Sequence, residues 1–221
     1  VDPQQPYAAP APAKLDVGAA LGYGFGWLKA NLGPLAMIGL VFFGYWVVSN
    51  VIGFVIDDQV VLSLVQGLWF LLGAIINLGL VRIGLKATRG ELPEVGDLFR
   101  TERFGPFLGG YLLFTIAAII GFVFCIVPGV FVLILLWFFG YLIVERGSGA
   151  IDSLQEASEL TKGNRGEVFL LGLACVGINI LGAIPCGLGL IVTVPATYIA
   201  SGYAYRSLAG EAIAPIPNAG V

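Results

Sequence analysis

The amino-acid sequence predicts an all-α fold, a polytopic membrane bundle of six transmembrane helices. They form three helical hairpins, each preceded by a short interfacial amphipathic helix. Three observations predict it. The 221 residues are 58% hydrophobic and only 11% charged, whereas soluble domains carry about 25% charged residues; surface that faces lipid needs no charge. Apolar segments of membrane-crossing length recur along the chain. All eleven Lys and Arg residues fall on one side of the topology that these segments define.

Residues 1–15 open with VDPQQPYAAPAPAK. Proline fixes φ and donates no amide, so a disordered, Pro/Ala-rich cytoplasmic tail is expected there. The first residue is valine, and no positively charged, cleavable signal is legible. Asp16 opens the first amphipathic helix, with Val17, Leu21, Trp27 and Leu28 on one side. A membrane helix needs about 20 apolar residues, because each rises about 1.5 Å through about 30 Å of hydrocarbon. Six segments qualify or come close: 34–56, 60–80, 106–127, 128–144, 168–184 and 188–205. Asp57-Asp58, Pro128-Gly129 and Pro185-Cys186-Gly187 punctuate tight turns between neighbours. Two further amphipathic helices are expected at 94–99 and 151–158. Asp16, Glu94 and Asp152 put an acidic group near the positive end of each helix dipole.

These elements read as a threefold repeat, about 16–90, 91–149 and 150–210, inside one six-span domain over 16–210. DVG at Asp16 matches EVG at Glu94, and Gly33-Pro34 matches Gly105-Pro106, with Gly166-Glu167 in the third position. A flexible cytoplasmic tail is expected over 211–221.

Lys14 and Lys29 precede the first span. Arg82, Lys86, Arg89, Arg100 and Arg103 fill the link between the second and third, Arg146, Lys162 and Arg165 the link between the fourth and fifth, and Arg206 ends the sixth. The positive-inside rule then places both termini and the long links in the cytoplasm. Arg82, Lys86, Arg89, Arg100, Arg103, Lys162 and Arg165 are the candidate inner-face anchors. Each is worth about 1 kcal/mol of attraction to an anionic leaflet when near its surface. Fixing topology is itself a sufficient role for them.

The stretch TKGNRGE at 161–167 brings glycine and lysine together, but Lys162 precedes Gly163 and no phosphate-binding loop pattern is present. Gly163 and Asn164 are expected to stop a helix in the left-handed conformation. With no histidine in the chain, histidine-based acid–base catalysis and metal ligation are excluded. Net charge is −3, so nucleic acid is not an expected partner. Cys125, Cys175 and Cys186 lack metal-site spacing and read as small apolar side chains; Cys125 and Cys186 stand at similar outer ends, where a disulfide is conceivable. Asp57-Asp58 supplies too few oxygens for a divalent cation and reads as a solvated turn. No charged residue lies inside an expected span, which argues against a proton or ion path. Ser49, Asn50, Asn77, Asn179, Thr193, Thr197 and Ser201 are expected chiefly to bond between helices, with cavity lining as the alternative. No catalytic residue, metal or cofactor is expected. The function expected is that of a non-catalytic accessory or scaffold subunit of a larger membrane assembly. Transport or handling of a lipid or other hydrophobic molecule is the alternative. Membrane lipids and other membrane proteins are the expected partners.

The phrase VPGVFVLILLWFFGYLIVERGSGAIDSLQEASELTKGNRG over 127–166, and TVPATYIASGYAYRSLAG near the end, resemble YciC-like bacterial integral membrane proteins. These are related to the membrane domain that accompanies some glycerophosphodiester phosphodiesterases. The shared features are Pro128-Gly129 opening a span, Glu145 and Gly147 closing it, a helix ending in Leu-Thr-x-Gly-Asn, and Pro195, Tyr205 and Arg206 in the last span. The resemblance covers about 16–210 and implies a six-span protein of the bacterial inner (plasma) membrane. The Pro/Ala-rich tail is similar to that of actinobacterial members. No phosphodiesterase catalytic domain fits in this chain, so that activity is not implied.

Overall fold

The computed structural model describes residues 14–218; nearly all of the tail expected over 1–15 lies outside the described residues. The described residues are helical, with no strand among them. The elements are α1 (Val17–Ala30), α2 (Leu32–Val55), α3 (Gln59–Thr88), a 3-10 turn (Val95–Phe99), α4 (Phe104–Phe124), α5 (Ile126–Leu136), α6 (Phe139–Arg146), α7 (Ala150–Leu160), α8 (Arg165–Ala183) and α9 (Leu190–Ala209).

Among the described residues, five segments are long and apolar enough to cross a membrane: Leu32–Gly53, Gln59–Thr88, Phe104–Phe124, Pro128–Arg146 and Arg165–Ala183. The expectation of six like spans is therefore corrected. The sixth segment, α9, has the length but carries Thr193, Thr197, Ser201 and three tyrosines, which lowers its own hydropathy. Its position supplies the reason. It packs against α1, α2, α3 and α8, and Val194, Thr197, Ile199, Ser201, Ala204 and Tyr205 are all buried. A helix enclosed by other helices has no need of a continuous lipid-compatible surface. On the outer helices the apolar residues stay exposed instead, as at Leu40, Ile116, Ile120, Leu173 and Ile180.

The three amphipathic helices are also corrected. Only α7 behaves as expected, burying Ser153, Ala157 and Leu160 along one face. α1 is packed on α9, with Ala20 and Trp27 fully buried. The segment at 94–99 is a single 3-10 turn, held by reciprocal bonds between Glu94 and Asp97. The order of one short element and two long ones recurs, but the units are not copies. The fourth segment is broken in the middle, where α5 ends at Leu136 and α6 begins at Phe139.

α3 outruns its expected end at residue 80 by eight residues, to Thr88. Arg82 and Lys86 continue the helix because both find partners in the following link. In TKGNRGE, Gly163 does stop α7 at φ +86. Asn164 does not share that conformation, at φ −125. It stands at the N-cap of α8, and its Oδ1 accepts a hydrogen bond from the Leu15 amide at 3.0 Å, tying the start of the described chain to α8.

α9 is approached by bare backbone from three sides. A Cβ at Gly24 of α1 would overlap the Ala196 carbonyl, one at Gly39 of α2 the Ile191 carbonyl, and one at Gly84 of α3 the Tyr198 carbonyl. The Gly39 contact has a local cause. Pro195 lies inside α9 and has no amide to donate to the carbonyl four residues back, which is that of Ile191. The freed carbonyl faces the Gly39 backbone, where a Cα–H···O contact partly replaces the lost bond.

Gly39→Leu and Gly84→Leu are expected to cost about 3 kcal/mol of stability each, the upper end for overpacking a filled site. Gly44→Ala and Gly177→Ala, where no atom lies within 4 Å of the added carbon, are expected to be neutral or slightly stabilising. Thermal unfolding of the detergent-solubilised protein checks both, and equal melting temperatures for the two pairs would refute the packing account.

Candidate functional site

Two places gather polar groups: the end of the bundle that carries the basic links, and a cavity in its middle.

At the basic end, α3 presents residues 79, 82 and 86 on one face, the spacing of successive helical turns. A Cβ at Gly79 would overlap the Leu98 backbone, so this glycine lets the 3-10 turn lie directly on α3. One turn further, Arg82 donates to the carbonyls of Arg100 and Glu102 and is buried. The next turn brings Lys86 Nζ to 2.8 Å from Asp97 Oδ2. Arg100 lies 3.6 Å from Asp97 Oδ1 and stays exposed. Burial alone would raise the Asp97 carboxyl, but the Lys86 bond and the Glu94 amide outweigh it and hold it below the usual carboxylate range.

A second ionic group joins α3, α6 and α9. Glu145 pairs with Arg89 and, at 2.7 Å, with Arg206. Glu211 lies 3.5 Å from Arg206 and 3.7 Å from Arg146; burial, aided by the Glu145 charge, raises its carboxyl against the pull of the arginines. Residues 211–218, within the tail expected to be flexible over 211–221, lie against this end. The Ala214 amide donates to the Thr88 carbonyl at 2.9 Å. Asn31 Nδ2 donates to the Pro217 carbonyl at 3.2 Å, and Ile216 packs beside α1.

The seven predicted anchors thus divide. Arg82, Lys86 and Arg89 are engaged within the link and the ionic groups. Arg103, at φ +63, donates to the Gly147 carbonyl at 3.1 Å. Arg165 lies 5.5 Å over the Phe131 ring. Arg100 and Lys162 keep exposed side chains, at 60% and 70%, and Lys162 lies 3.4 Å from Glu159. At the opposite end Asp58 caps α3, accepting from the Val60 and Val61 amides at 2.9 Å. Cys125 and Cys186 are free thiols.

The cavity, of about 260 Å³, lies among α3, α4, α6, α8 and α9 beside the break at Trp137. α4 contributes Phe107, Tyr111 and Phe114, spaced four and three residues apart along one helix face. Phe139 stacks between Phe107 and Phe114, with ring centroids at 5.7 and 5.3 Å. Trp137, Gly140 and Tyr141 come from the break and from α6. The break matters here because a continuous helix would carry these side chains around the axis at one fixed pitch. Asn77, Cys175, Asn179, Thr197, Tyr198 and Ser201 supply the polar part of the wall. Thr197 Oγ1 donates to the Val194 carbonyl at 2.9 Å and accepts from Asn179 Nδ2 at 3.3 Å. Ser201 Oγ donates to the Thr197 carbonyl at 2.9 Å. Tyr141 donates to the Tyr198 carbonyl at 2.9 Å. Among the described residues, no charged side chain lines this space.

Sequence reasoning named Asn77, Asn179, Thr197 and Ser201 and expected bonds between helices. The Asn179–Thr197 bond is of that kind, and all four also line the cavity. The aromatic wall was missed, although the spacing of Phe107, Tyr111 and Phe114 was visible.

A carboxyl held low in the fold stabilises fully above its unfolded value, about 3.9 for aspartate, and loses that contribution as pH falls through the folded value. Asp97→Asn is therefore expected to lower stability by about 1–3 kcal/mol at pH 7, since it leaves Lys86 without its partner. It should also flatten the loss of stability below pH 4, as read from melting curves between pH 7 and pH 3.

The model of a domain of unknown function, DUF7847, matches residues 35–216. The uncharacterized protein Rv2560 of Mycobacterium tuberculosis is 27% identical over 155 residues, covering 68% of this chain and 48% of that protein. The uncharacterized protein Mb2590 of Mycobacterium bovis matches to the same extent. This chain spans about half the length of the curated relatives it matches. No solved structure matches. None of these matches bears on the resemblance to YciC-like proteins. With its match running from the start of α2 to beyond the end of α9, the chain belongs to the DUF7847 family.

Proposed function

We propose that this protein is a multi-pass protein of the bacterial inner membrane that holds a small hydrophobic molecule inside its bundle. The observation that carries the proposal is the cavity of about 260 Å³. Protein interiors are close-packed, with few voids larger than a water molecule, and an aromatic-lined space with a few convergent polar groups is the ordinary form of a small-molecule site. Half-exposed Val176 stands among its lining residues, on the surface of α8 that would meet lipid. The proposal assigns no catalytic activity. The resemblance to YciC-like membrane proteins fits the same class and remains part of the proposal.

In this reading α9 is a sixth crossing, shielded by its neighbours. The basic end is cytoplasmic with both termini, and Arg100 and Lys162 are the side chains best placed to meet anionic headgroups. A different observation supports the accessory-subunit reading. The far ends of α2 and α3 expose Val51, Val55, Val60, Leu64 and Leu68, and exposed Gln66 stands among them. A span from another membrane protein would cover this polar group better than lipid does.

Mass spectrometry of organic extracts from the purified protein is expected to find a small apolar compound near one-to-one stoichiometry. Ser201→Phe, which fills the cavity, is expected to lower its yield at least fivefold. An empty extract from well-folded protein would sink the proposal. For orientation, Cys125 and Cys186 are first replaced by serine. Asp57→Cys is then expected to react with a membrane-impermeant maleimide in intact cells and Glu91→Cys only after lysis; the reverse pattern would invert the topology.

A further inference from the structure

Resting on the reading of the cavity as a binding site, we infer that its ligand is a neutral small molecule. Its polar end is a hydrogen-bond donor, a hydroxyl or amide N–H, directed at Asn179. Neutrality follows from the wall, which holds no Asp, Glu, Lys or Arg; a buried ion with no counter-charge would be strongly disfavoured.

The donor assignment follows from where the hydrogens on the α8–α9 wall already go. The single hydrogen of Thr197 Oγ1 goes to the Val194 carbonyl and that of Ser201 Oγ to the Thr197 carbonyl. Thr197 Oγ1 can therefore only accept from Asn179, which fixes the amide with Nδ2 toward Thr197. The carbonyl oxygen Oδ1 is then left buried with no hydrogen-bond partner among the described residues. Buried acceptors are rarely left so. A ligand donor satisfies it after a small turn about the terminal side-chain torsion, which is soft for asparagine.

The space of about 260 Å³ admits at least a short-chain or single-ring alcohol or amide, and half-exposed Val176 stands among its lining residues.

The test uses full-length protein in detergent, with Trp137 fluorescence as the reporter and Trp137→Phe as the blank. 1-Octanol and heptyl methyl ether have the same number of heavy atoms, but only the alcohol donates. Octanol is expected to bind about five- to tenfold tighter, the range of one hydrogen bond, and Asn179→Leu is expected to bring the two to equality. Equal binding of alcohol and ether to the unmodified protein overturns the donor assignment while leaving the cavity a binding site, and this comparison stands even if Asn179→Leu does not fold. No Trp137-dependent signal from either probe overturns the binding-site reading itself, and the inference with it.

Discussion

Three helices lay bare backbone against α9 at Gly24, Gly39 and Gly84, and the rest of the architecture depends on how closely they come. In a lipid environment there is no hydrophobic gain from bringing two apolar helices together, since lipid is as apolar as leucine. Association rests on dispersion contacts and hydrogen bonds, both of which need short separations. Glycine provides the separation, and Pro195 provides a carbonyl with no donor of its own in the helix. With α1, α2 and α3 drawn in on α9, α8 closes a further side, so a helix rich in hydroxyl groups can occupy the middle.

That arrangement accounts for where the cavity lies. The α1, α2 and α3 contacts place small residues against α9, whereas the side of α9 carrying Thr197 and Ser201 meets aromatic residues from α4 and α6. Large planar rings stack on one another, as Phe139 does between Phe107 and Phe114, and a wall of stacked rings does not interdigitate with short hydroxyl side chains. The interruption at Trp137-Phe138 adds to the mismatch by resetting the rotation of the fourth segment. Space is left where the two surfaces meet.

At the basic end the logic is electrostatic. Acidic groups from separate segments meet the arginines and lysines: Asp97 from the link, Glu145 from α6 and Glu211 from beyond α9. Glu145 and Arg206 have only 11% and 12% of their side chains exposed, so their bond operates with little screening, whereas Arg89, 41% exposed, meets Glu145 from the solvent side. These pairs hold the ends of α3, α6 and α9 in register and draw residues 211–218 back across the bundle. The charged residues of the links thus connect helices that are distant in sequence.

The all-α class and five of the six segments of membrane length were legible in the sequence alone. Each depends only on composition and order along the chain. Gly163 as a helix stop was legible for the same reason, because a left-handed residue after a helix favours glycine in any surroundings. What tertiary structure decided is what depends on neighbours. The central burial of α9, the docking of one face of α1 on it, the extension of α3 past Arg82 and the break in the fourth segment all follow from contacts with residues distant in sequence. So does the double role of Asn179 and Thr197, since whether a hydroxyl bonds across helices or faces a cavity turns on the volume opposite it. Hydropathy can identify a helix that tolerates lipid. Only packing determines which helix is withdrawn from lipid and where the packed surfaces fail to meet.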